Sequence, residues 1–383
     1  VPIKSTIQSF KQSSAFFSEF AKSQEFAGLL LILATALSLF LANSPWSSDY
    51  LLYLENPHLQ WFFNDALMAL FFLLVGLEIK RELLVGELSN IKQAALPIMA
   101  ALGGMLVPAL LFFAFNHHSA GRKGWAIPTA TDIAFAVGIL NIIGKKVPSA
   151  LKIFITALAV VDDLGAVLII AIFYSQEVQV AWLAALLLSI PLASLLLQRS
   201  HASWRIAFFI GTGIIFFFLL HQAHLHTTLA GVLLAAVTPF HKEGKQYFVH
   251  TLEAALHKPV NFFILPLFAL VNTGICLQFD AQAIHTSLLL GIVMGLLIGK
   301  PLGICAFSCL ATKLGIAQLP TSVTHSQLMA VSVLGGIGFT MSIFISLLAF
   351  TDASMIEQSK SYVLLASLLC MLLSYFIIKR KFR

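Results

Sequence analysis

Apolar runs of about twenty residues recur along nearly the whole chain, separated by short polar segments. A run of that length crosses the ~30 Å hydrocarbon core of a bilayer as one α-helix. Twelve spans are predicted, at residues 25–43, 61–84, 93–115, 124–143, 149–174, 180–197, 204–219, 222–237, 253–275, 287–310, 326–349 and 358–379. A transmembrane barrel would need alternating segments of ~10 residues instead. The predicted class is an all-α polytopic membrane protein. Its domain plan is a cytoplasmic segment at 1–24, one transmembrane domain at 25–379 and a short cytoplasmic tail at 380–383. Residues 1–24 are polar and lack the apolar stretch of a cleavable signal peptide.

Composition agrees with the pattern. The 383 residues are 59% hydrophobic and 10% charged, against roughly 25% charged in a soluble domain. So little charge does not cover a water-facing surface of this size. The formal net charge of +6 raises nucleic acid as a partner, but the placement of the charge removes it. With the N-terminus inside, nineteen Lys and Arg fall on one side of the membrane, and Arg122, Lys123 and Lys360 on the other. Lys300 alone lies near the middle of a span, which accounts for all 23. That asymmetry is the one that orients membrane proteins, and it predicts that both termini are cytoplasmic. The four cysteines, Cys276, Cys305, Cys309 and Cys370, sit in or beside apolar segments and read as small core residues.

Four charges stand where charge is costly. Asp132 lies in span four, Asp162 and Asp163 in span five, and Lys300 in span ten. Each costs about 2.5–3.5 kcal/mol at a helix centre. They must therefore be paired, neutralised in part or turned toward water, and a functional site is the default reading; a buried ion pair that only fixes packing is the bland one. Neighbours on a helix point about 100° apart. One of the two adjacent aspartates can thus meet Lys300 while the other faces a cavity and binds a cation. Burial penalises the charged forms of both kinds of group, which suits side chains that take up and release protons.

Two spans look interrupted. Span four contains Pro128-Thr129-Ala130-Thr131-Asp132, and span eleven contains Gly335-Gly336-Ile337-Gly338. Pro removes a helical hydrogen bond and Gly tolerates unwound backbone. Non-helical backbone at membrane depth survives only where it is buried in protein or lines a cavity. Spans three to five and ten to twelve are expected to be inverted repeats, each with its middle helix broken and the breaks crossing near the midplane.

The runs Gly76–Leu83, Ala130–Ala136, Val161–Gly165, Gly299–Gly303 and Gly335–Ser342 together resemble the bacterial NhaA sodium/proton antiporters. The inverted-repeat rule was itself drawn in part from that family. The resemblance implies a secondary transporter, not an enzyme, in the inner membrane. It would exchange Na+, and also Li+, for H+ by alternating access, electrogenically and under pH control, and so regulate intracellular pH and sodium. It further implies Asp163 as the main ion-binding and proton-carrying carboxylate, with Na+ at Asp163 and Asp162, and Asp162 as the partner of Lys300. Thr131 and Asp132 become site residues on the unwound stretch, and Gly335, Gly336 and Gly338 its counterpart in span eleven. Glu78, Arg81, Glu82, Glu253, His257 and His226 become pH-sensing candidates, although the histidine that family members carry after the glutamate is Ala254 here. No cofactor is implied. The expected partners are the two ions and membrane lipid, with a homodimer a further candidate. The loop at Pro45–Gln60, however, carries no hairpin signal of the kind that forms dimer contacts in some members.

Other readings remain at this point. An organic-anion carrier would aim amides and helix N-termini at its ligand, rather than adjacent carboxylates. An intramembrane enzyme lacks its motif, since no His-Glu-x-x-His appears within the spans. A channel lacks filter repeats. His221, His224 and His226 cluster near spans seven and eight; an interfacial role is favoured there over a metal site.

Overall fold

In the computed structural model the described residues are 26–143, 147–175, 177–240, 242–243, 246–276, 285–320 and 323–382. The expected cytoplasmic segment at 1–24 lies outside them, as does the last residue of the tail. The helices, in chain order, are α1 (Phe26–Ala42), α2 (Ser47–Leu54), α3 (Pro57–Val85), α4 (Ile91–Asn116), α5 (Ile133–Ile143), α6 (Ser149–Phe173) and α7 (Val180–Arg199). They continue as α8 (Ala202–Gln222), α9 (Leu229–Val237), α10 (Phe248–Asn272), α11 (Thr286–Lys313), α12 (His325–Ser332), α13 (Phe339–Ala349) and α14 (Ala353–Lys381). The strand pairing among the described residues is a two-residue ladder, Lys242–Glu243 with Gln246–Tyr247. The protein is an all-α, multi-pass membrane protein.

Among the described residues, eight helices are long and apolar enough to cross a bilayer singly. Two further segments qualify only as bent pairs: α1 with α2, at 119°, and His325–Gly336 with α13, at 48°. The predicted fourth and eighth spans correspond to shorter pieces. Span four is a ten-residue 3-10 run, Ala120–Thr129, followed by the eleven residues of α5. Span eight reduces to the nine residues of α9, whose length of ~14 Å is well short of a bilayer core.

The bundle is apolar outside, and its largely apolar interior encloses a small set of buried polar and charged groups. Leu188, Leu110, Ile172 and Phe376 present more than three-fifths of their surface outward, as side chains facing lipid do. The buried polar groups include Thr131, Asp132, Asp162, Asp163, Lys300 and Thr340, and the largest fully buried apolar side chains include Phe72, Phe112 and Phe344. A very close helix crossing joins α4 to α11. A Cβ on Gly103 would stand 2.2 Å from the Gly303 carbonyl oxygen, and one on Gly303 would stand 2.1 Å from that of Gly103. Small residues on both helices let the backbones meet, the usual way membrane helices pack without a hydrophobic drive. That contact brings Lys300 of α11 under α4, and each of these helices leads into an interrupted segment.

Candidate functional site

The interruptions lie against one another. After the 3-10 run, Ala130–Asp132 are non-helical, and Ile337–Gly338 separate the last 3-10 turn at Val333–Gly336 from α13. Freed backbone groups must find partners at such depth, and each stretch supplies them to the other. The Asp132 amide donates to the Ile337 carbonyl at 2.8 Å. The Thr131 hydroxyl donates to the Gly335 carbonyl at 2.8 Å. From the far side, the Ser342 hydroxyl donates to the Ile127 carbonyl at 2.7 Å.

Asp132 is the knot of this crossing. One carboxylate oxygen accepts the Phe135 amide at 3.0 Å, capping α5 three residues in. The other accepts both the amide of Thr340, at 3.2 Å, and its hydroxyl. Asp132 therefore stabilises the N-termini of α5 and α13 together, where the helix dipoles favour an anion. Thr340 was not singled out from the sequence. The available signal was a hydroxyl within an apolar span, two residues beyond Gly338, in the run that carries the resemblance.

On α6 the adjacent aspartates part company. Asp162 Oδ2 accepts from Lys300 Nζ at 2.6 Å, with both side chains at most 3% exposed. Lys300 also donates to the Thr129 carbonyl at the end of the 3-10 run. The ammonium thus ties α6, α11 and the first interruption to one point. Asp162 Oδ1 is buried without a hydrogen-bond partner. Asp163, 3% exposed, receives no hydrogen bond from the described residues, while Asp162, Glu78, Asp132 and Lys300 all lie within its electrostatic reach. Gly335 and Gly336 give room beside this group: a Cβ on Gly335 would stand 2.7 Å from Ile304, and one on Gly336 2.4 Å from the Leu296 carbonyl oxygen. Gly338 is pressed by the Ser342 side chain. No group of three or more His, Cys, Asp or Glu closes around one point among the described residues. A cation held here would need hydroxyl or carbonyl oxygens beside the carboxylates, the donor set of a hard ion.

The remaining candidates form two separate places. Arg81 bridges Glu82, at 2.8 Å, and Glu253, at 3.0 Å, linking the end of α3 to the start of α10. Glu78 lies one turn earlier on α3, within electrostatic reach of Arg81 and Glu253. His257, one turn beyond Glu253, meets Asn261 at 3.2 Å. His226 is elsewhere. It contacts the Tyr174 carbonyl at 2.7 Å, and the neighbouring Thr227 hydroxyl donates to Asp65 at 2.7 Å. Asp65 and Arg81 are separated by ~24 Å along α3, so His226 is not part of the Arg81 cluster. Burial pushes the His226 imidazole below its ordinary value of 6.5, while the Tyr174 carbonyl and Asp65 pull the other way. His224 faces the Glu177 carbonyl at 3.2 Å. Both histidines thus address backbone oxygens.

Comparison with known proteins identifies the family. The family described as Na+/H+ antiporter 1 matches residues 18–378. A Na(+)/H(+) antiporter NhaA of Flavobacterium psychrophilum is 47% identical over 372 residues, covering 96% of each chain. The proteins of that name from Salmonella paratyphi A and Escherichia coli O1:K1 / APEC are 45% and 44% identical, each over 93% of this chain and 96% of their own. With nearly the whole length matched, the chain belongs to the Na+/H+ antiporter 1 family of secondary transporters.

Proposed function

We propose that this protein exchanges Na+, and Li+, for H+ across the bacterial inner membrane, with Asp163 and Asp162 as the carboxylates that the ions share. The observation that carries the reading is the contrast between the two. Asp162 is held by Lys300 through one oxygen, and Asp163 is buried with no donor from the described residues. A carboxylate left unsatisfied in low dielectric either takes a proton or takes a cation. Competition for that position couples the two flows without a further device. The free Asp162 Oδ1 and the backbone oxygens of the interrupted stretch supply additional hard ligands. Two carboxylates exchange two protons for one Na+, which makes each cycle electrogenic.

The architecture supports alternating access. Asp132, Thr131 and Gly335 join two interrupted segments by a handful of hydrogen bonds, a joint that re-forms more readily than continuous helix. The Arg81–Glu82–Glu253 cluster, with Glu78 and His257 close by, supports pH control, as does His226. Both termini are cytoplasmic, and the exchange regulates intracellular pH and sodium.

Proteoliposomes carrying an internal pH dye test the reading directly. Added Na+ or Li+ should move protons with the wild-type chain and not with Asp163→Asn, and a voltage clamp by valinomycin and K+ should raise the wild-type rate. Equal rates for wild type and Asp163→Asn would overturn the ligand assignment.

A further inference from the structure

A cleft of about 680 Å³ opens between α1 and α14, away from the aspartates and ion-pair clusters. Its composition changes along α14. The first turns contribute Ser354, Glu357, Gln358, Ser361 and Tyr362; farther along the wall is mostly apolar, with Leu364, Leu365, Leu368 and Met371 beside Ser367. Across the cleft, α1 offers Ile32, Ala36 and Leu39. From Ser354 to Met371 the wall runs ~25 Å, close to one leaflet with its headgroup layer. A soluble ligand has no reason to match that gradient, whereas a phospholipid has the same one. At the polar end Glu357 is exposed and makes no ion pair with the described residues. Lys360, one turn on, lies within its electrostatic reach but does not line the cleft. An exposed carboxylate at the mouth of the cleft prefers an ammonium that still has hydrogens to donate.

We infer that this cleft holds one phospholipid with a primary-ammonium, ethanolamine-type headgroup, its ammonium on Glu357 and its acyl chain along the apolar wall. The floor is formed by Phe135 and Phe339, with ring centroids 5.1 Å apart. The Phe135 amide caps onto Asp132, and the Phe339 amide donates to Ser367, another lining residue. The acyl chain therefore rests on the outside of the crossing between the two interrupted segments.

The test is native mass spectrometry of the full chain, purified in detergent and offered equal amounts of ethanolamine-, choline- and glycerol-headed phospholipids of one chain length. One ethanolamine lipid should be retained in preference to the others. Glu357→Gln should cut that retention about tenfold. Ala36→Trp, which fills the cleft without touching the headgroup end, should abolish it for every lipid. Unchanged thermal melting of Glu357→Gln confirms that the fold is intact. Equal retention of the three headgroups, or wild-type retention in either variant, would overturn the proposal. So would a photo-crosslink from position 365 to a second copy of the chain in place of lipid.

Discussion

Asp132 accepts two hydrogen bonds from a single residue, the amide and the hydroxyl of Thr340, across two segments that are 208 positions apart in the chain. Removing the hydroxyl leaves a buried carboxylate oxygen with one donor fewer. Thr340→Val is expected to lower stability by about 1–3 kcal/mol, and Thr340→Ser to restore most of it. Thermal unfolding of the purified protein, followed by size-exclusion chromatography, measures the order of the three.

Asp162 and Lys300 are both buried, so losing one strands the other. Lys300→Met alone should destabilise by about 3–5 kcal/mol, while the double change with Asp162→Leu should cost clearly less than the sum of the single changes. Additive single effects in the same unfolding assay would show that the pair is not coupled.

The α4–α11 crossing permits no side chain at Gly103. Its Cβ would meet a backbone oxygen at 2.2 Å, with Phe307 also near at 2.7 Å. Gly103→Ala should cost about 1–3 kcal/mol through forced separation of the helices. Because Lys300 rides on α11, the variant should also lose exchange at temperatures where it remains folded, which the dye assay reads.

His226 gives a pH-dependent stability with a definite sign. Its imidazole is held below the ordinary 6.5 by burial, so between the folded and unfolded values the unfolded chain binds more protons. Stability is then complete above about pH 6.5 and is lost as pH falls through that value toward the lower folded one. His226→Gln should flatten the melting temperature against pH across this window, leaving the profile above it unchanged.

Much of this was legible in the sequence. The hydrophobic runs located the long helices because a bilayer accepts only a narrow range of lengths. The charges at Asp132, Asp162, Asp163 and Lys300 marked the candidate site, since isolated charge in hydrocarbon is costly, and all four are buried. Pro128 and the Gly335–Gly338 cluster marked both interruptions. Adjacency alone also showed that the two aspartates on α6 face different ways.

Tertiary structure decided the rest. Which aspartate meets Lys300 depends on how α6 and α11 are rotated, and the π turn at Gly295–Gly299, directly before Lys300, alters that rotation in a way a 3.6-residue period does not register. Thr340 gained its role only when α13 was laid against Asp132, and His226 separated from the Arg81 cluster only along the length of α3. Span eight looked continuous because hydropathy measures polarity and not backbone path: residues 223–228 form turns, with His224 at a positive φ of 58°, and α9 begins only at Leu229. A sequence records the cost of placing each group in the membrane; which partner offsets that cost is fixed by contacts between residues far apart in the chain.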